Sequence, residues 1–194
     1  TLFTGFCGPC ESSNNGDPIV LYDETADRWM LSQFALPNYP NGPFYQCIAV
    51  STGSNPTGSY HRYAFSFAKM NDYPKFGVWS DGYYVTTYEF PNLAAYVLDR
   101  ANMLLGNAAG FFKSTISSLG APGVRDTRML PADLDGTAPP AGVPGLYVRP
   151  VDGQQDTGNP TDRIEVYEGR VNWNTGTFNF VLVDTVNPTA FDIM

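Results

Sequence analysis

The 194 residues carry 19 acidic against 11 basic side chains, a net charge of −8, with 43% hydrophobic and 15% charged residues. That balance describes a chain with a core, not a disordered one, and it disfavours nucleic acid and anionic membrane surfaces, which call for a Lys/Arg face. No stretch reaches the roughly 18 uninterrupted apolar residues of a membrane helix; the most apolar region, Leu93–Phe112, is broken by Asp99, Arg100, Asn102 and Asn107.

Aromatic residues at 14%, with 19 Gly and 16 Pro, predict an all-β protein. Tyr and Phe suit pleated surfaces, while Gly and Pro set turn dihedrals. Thr1–Asn15 reads as a loop-rich lead-in. Ile19–Tyr22 and Arg28–Ala35 read as a hairpin closed by the polar turn Asp23–Asp27. After a Pro/Asn linker (Pro37–Pro43), Tyr45–Thr52 is a third strand. Ser54–Gly58 is a turn, and Tyr60–Phe67 is a fourth strand. The alternation in that strand puts Tyr60, Arg62, Ala64 and Ser66 on one face and His61, Tyr63, Phe65 and Phe67 on the other.

A second unit follows. Phe76–Trp79 and Tyr83–Phe90 form its hairpin, with Ser80-Asp81-Gly82 as a tight turn. Ala94–Leu98 is the third strand, Asp99–Leu105 a short helical turn stopped by Gly106, and Phe111–Ile116 the fourth strand. A third unit takes its strands from Arg128–Leu134, Leu146–Pro150, Arg163–Trp173 and Thr177–Thr185, with the Pro-rich stretch Gly136–Gly145 as a long loop. The unit starts lie near Pro18, Pro74 and Arg128, a period of roughly 55 residues, which suggests a propeller. The prediction is a β-propeller segment of about three four-stranded blades, 16–67, 74–117 and 128–185. A closed ring usually needs about four to eight blades. The chain opens on Thr1, and its ending AFDIM reads as the start of a next blade over 186–194. It therefore reads as a piece of a larger ring, whose partners are the remaining blades of the same precursor or of another chain. A β-sandwich is the alternative architecture.

The stretches GDPIVLYDETADRW, QCIAVSTGSNPTGSYHRYAFSF, PKFGVWSDGYYVT, LDRANMLLG and LPADLDGTAPPAG together resemble a family of large secreted bacterial proteins of unknown function that are predicted to carry a β-propeller. The resemblance covers most of the chain. It implies export and a propeller that continues past this chain's end, and it brings no agreed activity.

Cys7-Gly8-Pro9-Cys10 has the letters of the thioredoxin tetrapeptide, whose first cysteine is activated at a helix N-terminus. Here ESSNNGDP follows, a run of turn formers, so no helix is expected. A structural bridge between Cys10 and Cys47 is the preferred reading, leaving Cys7 free or paired elsewhere.

Asp17 beside Pro18 resembles, locally, the cavity-facing Asp of family 43 and family 32 glycosidases, a general base or nucleophile. Asp81 and Glu89 are the candidate second carboxylates. Glycoside hydrolysis needs two carboxylates flanking the bond. The competing reading of Asp17-Pro18 is a strand start whose carboxylate caps loop N–H groups, and it is preferred because propellers recur without shared chemistry. Asp133 and Asp135, in DLDG, look like a shortened calcium loop lacking its bidentate Glu, which makes calcium the one cofactor suggested; Asp152 and Asp156 are further ligand or turn residues. His61 has no triad context. Trp29, Trp79 and Trp173 are expected to pack between blades, and Tyr39, Tyr45 and Tyr73 are candidates for a sugar-stacking platform. The function expected is a secreted or cell-surface module that binds a glycan or protein, or assembles, without catalysis; a glycosidase using Asp17 is the alternative.

Overall fold

A computed structural model describes residues 2–116, 129–158 and 161–191. Three four-stranded antiparallel sheets follow one another along the chain, each with its strands in sequence order. The first holds β1 (Ile19–Asp23), β2 (Arg28–Ala35), β3 (Phe44–Ser51) and β4 (Tyr60–Phe67). The second holds β5 (Asp72–Trp79), β6 (Gly82–Glu89), β7 (Asn92–Leu98) and β8 (Phe111–Ile116). The third holds β9 (Leu130–Pro131), β10 (Gly145–Val151), β11 (Arg163–Asn172) and β12 (Thr177–Val186). This is a β-propeller segment of three blades.

The sheets stack face to face, and the second is buried on both sides. Alternate residues of a strand point to opposite faces, and β6 and β7 use this to feed two cores. Tyr83, Val85, Ala94, Tyr96 and Leu98 join Met30, Ile48, Val50, Phe65 and Phe67 of the first sheet. Their neighbours Tyr84, Leu93, Ala95 and Val97 join Tyr147 of the third, with Tyr167 and Phe180 packed against them. Every residue of β6 is therefore buried, and no polar/apolar alternation survives there.

Several contacts hold neighbouring sheets in register. The Val78 N–H donates to Asp133 Oδ1 at 2.7 Å, and the Leu134 N–H donates to the Val78 carbonyl at 3.0 Å. Gly77 permits this approach, because a Cβ there would lie 2.3 Å from the Ala132 carbonyl oxygen. The Gly136 N–H donates to Glu24 Oε2 at 2.7 Å, linking the first hairpin turn to the loop after β9.

The outer face of the first sheet is covered by the lead-in, which acts as a strap. Phe3 and Cys10 are buried against Ala35, Cys47 and Ala49, with Leu2, Phe6, Tyr45 and Tyr60 packed around them. Arg62 donates to the Thr4 carbonyl at 2.8 Å, and its guanidinium lies 5.3 Å from the Phe6 ring centre. The Cys10–Cys47 disulfide fastens the strap to β3.

Five sequence readings need correction or limit. A one-turn helix, α1 (Pro9–Ser12), does begin after Gly8. Proline suits the first helical position, and Glu11 reaches back to accept from the N–H groups of Gly5 and Cys7, both at 2.7 Å. Trp29 is not in a core between sheets: it lies 4.9 Å from the Tyr22 ring and its Nε1 donates to the Ser54 carbonyl at 2.9 Å. VDGQQD forms one turn of π-helix, Gly153–Thr157, capped by Asp152. The strand read over Arg128–Leu134 is only the two residues of β9. Asn187–Phe191 form no strand, and 117–128 and 192–194, which hold part of the blade limits drawn from sequence, lie outside the described residues. The second helix, α2 (Arg100–Leu105), agrees with expectation, with Asp99 as N-cap and Gly106 in the left-handed conformation as C-cap.

Candidate functional site

The starts of β1 and β5 lie side by side, and an open cleft of about 210 Å³ runs between them, lined by Asp17, Pro18, Ile19, Tyr73, Pro74 and Lys75. The two strand starts are built alike. Asp17 and Tyr73 each precede a proline, and each has positive φ, 49° and 50°. A residue before proline is ordinarily pushed to extended backbone, and a bulky residue at positive φ is an outlier. At Tyr73 the cause is visible. The ladder between β5 and β6 slips between Asp72 and Lys75, leaving Tyr73 and Pro74 as a bulge. The Asp72 side chain accepts from the Tyr73 N–H at 2.9 Å. Bulges re-aim side chains, and this one leaves the Tyr73 ring 48% exposed at the cleft. The Lys75 ammonium sits 3.6 Å from the ring centre, within cation–π range. Asp17 is exposed.

The two other carboxylates considered for catalysis do not line this cleft. Asp81 lies at the β5–β6 turn, at the opposite end of β5 from Tyr73. It accepts from the Tyr84 hydroxyl at 3.0 Å, and its carbonyl accepts from Trp173 Nε1 at 2.8 Å. Burial pushes the Asp81 carboxyl above the usual range, and the Tyr84 hydrogen bond only partly opposes this. Glu89, at the end of β6, is buried and engaged by the Tyr96 hydroxyl and the Lys113 ammonium. Both residues work as structural links within and between sheets.

Asp133 and Asp135 are both exposed, and one Asp133 oxygen is taken by the Val78 N–H. Among the described residues no three His, Cys, Asp or Glu side chains are grouped so as to hold a metal ion. Cys10 is bridged to Cys47, which leaves Cys7 free and exposed, without the partner a dithiol reaction needs. His61 lies on the core-facing side of β4 beside Gly106, at the end of α2. Of the three tyrosines considered for sugar stacking, Tyr45 packs under the strap, Tyr39 stands in the linker, and Tyr73 alone is at the cleft.

A second surface is the outer face of the third sheet. Side chains directly opposite in an antiparallel pair share a face. Leu130, Val148 and Val166 form one row across β9, β10 and β11. Leu146 and Val181 flank Glu168 in the next. Pro150, Ile164 and Val186 make a third. Leu130 is 54%, Val148 40% and Val181 49% exposed. That a three-blade piece leaves an unpaired apolar blade face follows from the sequence repeat; which residues line it does not, because a sheet buried on both sides and one buried on a single side can carry the same apolar letters.

No protein-family model, curated protein or solved structure matches this chain. Among the described residues no helix is long and apolar enough to cross a membrane.

Proposed function

We propose that this chain is a propeller module of an exported or cell-surface protein, and that it acts by assembly and by binding a glycan or protein, without catalysis. The observation that carries the reading is the apolar outer face of the third sheet. Exposed apolar side chains in adjoining rows, here interrupted only by Glu168 and Asp184, mark an interaction site, and the corresponding side of each preceding sheet is covered by the next one along the chain. The partner that fits is a further antiparallel sheet carrying apolar side chains on its facing side. The disulfide suits an oxidising compartment, in line with the resemblance to large secreted propeller proteins. The non-catalytic part of the reading is supported by the cleft at Asp17, where Asp17 supplies the one carboxylate among its described lining residues; hydrolysis needs two, about 5–9 Å apart.

Sedimentation of the chain over a range of concentrations tests the assembly. The wild type should self-associate through its open face, and Val148→Lys with Val181→Lys should return it to monomer without loss of fold. A wild type that stays monomeric throughout, indistinguishable from the double variant, would overturn the reading. Release of reducing sugar from a polysaccharide panel, abolished by Asp17→Asn, would overturn the non-catalytic part.

A further inference from the structure

The cleft between the starts of β1 and β5 has a chemistry of its own, separate from the face of the third sheet. Its volume, about 210 Å³, falls below the roughly 300–1,000 Å³ of sites for drug-sized ligands, so it fits one ring. Tyr73 offers a half-exposed aromatic surface, and Ile19, Pro18 and Pro74 add apolar wall. Asp17 offers only acceptors and Lys75 only donors. One negative and one positive group side by side leave the cleft without net charge, which gives no preference for an anion or a cation. A ligand that meets this set carries an apolar face for the ring and several groups that both donate and accept. Hydroxyl groups do both.

We propose that this cleft binds one pyranose ring of an uncharged glycan. The apolar face of the sugar packs on the side of the Tyr73 ring that Lys75 does not cover, one hydroxyl donates to the Asp17 carboxylate, and another, at the ring's edge, accepts from the Lys75 ammonium. The backbone supports this assignment. Two non-glycine residues are held at positive φ at the same place in successive repeats, and such conformations cost of order 1–3 kcal/mol each. A tyrosine kept there against strain, turned outward by a bulge, serves the surface and not the core. The cleft is open to solvent on one side, so binding is weak and reversible and suits a repetitive polysaccharide met at many modules together. The inference rests on the glycan-binding part of the reading above; its failure leaves self-association through the third sheet untouched.

The test uses the isotope-labelled chain titrated with a panel of neutral methyl pyranosides and their short oligosaccharides, followed by amide chemical shifts. Saturable shifts are expected at Asp17, Ile19, Tyr73 and Lys75. Tyr73→Gly removes the ring and the strain together. It should weaken binding by about tenfold or more while unfolding at the same or higher denaturant concentration than wild type. Asp17→Asn, which tolerates the same backbone, should weaken binding by several fold. If no neutral sugar in the panel moves these amides, or if Tyr73→Gly binds as the wild type does, the proposal is wrong. It is equally wrong if amino acids or short peptides saturate the cleft and the sugars do not.

Discussion

Arg100 holds Asp23 across the boundary between the first two sheets. Its Nε and Nη2 donate to both carboxylate oxygens, at 2.6 and 2.8 Å, and Nη2 also reaches Thr25 Oγ1 at 2.7 Å. The Tyr83 hydroxyl donates to the same carboxylate at 3.0 Å. Asp23 ends β1 and Arg100 opens α2, so a bidentate pair joins two blades at their turns. Asp23 is fully buried and Arg100 nearly so.

Removing one partner strands a charge. Arg100→Ala should destabilise the chain by about 3–5 kcal/mol, the usual cost of breaking a buried pair, as measured by urea unfolding. Asp23→Asn keeps the shape but strands the Arg100 guanidinium and turns an amide NH2 group toward its donors; it too should be destabilising. Equal stability of Arg100→Ala and wild type would show that the pair does not hold the blades.

The same pair sets a pH dependence. Burial pushes the Asp23 carboxyl up, but the hydrogen bonds and charge of Arg100, with Thr25 and Tyr83, outweigh it and hold the carboxyl below its ordinary value. A lowered carboxylate contributes stability that is present above its unfolded value, about 3.9, and is lost as pH falls through the folded one. Asp81, raised by burial, has the opposite sign: its contribution is present in acid and is lost as pH rises through its folded value. Unfolding free energy of the wild type should therefore fall more steeply on acidification than that of Asp23→Asn. Parallel profiles for the two would remove Asp23 from the account.

Gly77 should tolerate no side chain. Gly77→Ala drives a methyl group into the Ala132 backbone, and overpacking of that kind costs about 1–3 kcal/mol. Gly53→Ala, where nothing lies within 4 Å, should stay within about 0.5 kcal/mol of wild type. Thermal melts of the two variants make the comparison, and similar losses in both would mean that the second and third sheets are not in close contact there.

The strap depends on its bridge. Cys10 and Cys47 are 37 residues apart, and a loop of that size is stabilised by about 2–4 kcal/mol when crosslinked. Reductant should lower the melting temperature of the wild type and leave Cys10→Ser with Cys47→Ser unchanged. An unchanged wild-type melt under reductant would show that the strap holds by packing alone.

The strands were legible because each is short, aromatic or β-branched, and bounded by turn residues; the limits read for β4 agree to the residue with Tyr60–Phe67. The bridge from Cys10 to Cys47 could be read because few cysteines compete. What pattern reading could not reach is anything set by the distance between blades. Arg100 and Asp23 are 77 residues apart, and nothing in either neighbourhood names the other. Asp81 and Glu89 looked like free carboxylates because their partners Tyr84, Tyr96 and Lys113 meet them only once the ladders of the second sheet are paired. The bulge at Tyr73 had one local sign, a bulky residue before Pro74, which signals an extended backbone in most proteins and a left-handed one here.

The strap also dictates how any ring containing this chain could shut. A neighbour approaching the first sheet from outside meets Phe3, Phe6 and the disulfide before it meets strand side chains. A closing blade would have to accept that wedge in its seam or displace it. In such a ring the join beside the first sheet would differ from the two joins between the described sheets, where strand side chains meet directly, and a reducing agent would loosen what lies in it. That join would carry a built-in latch, a piece of polypeptide from outside the repeat lying between blades.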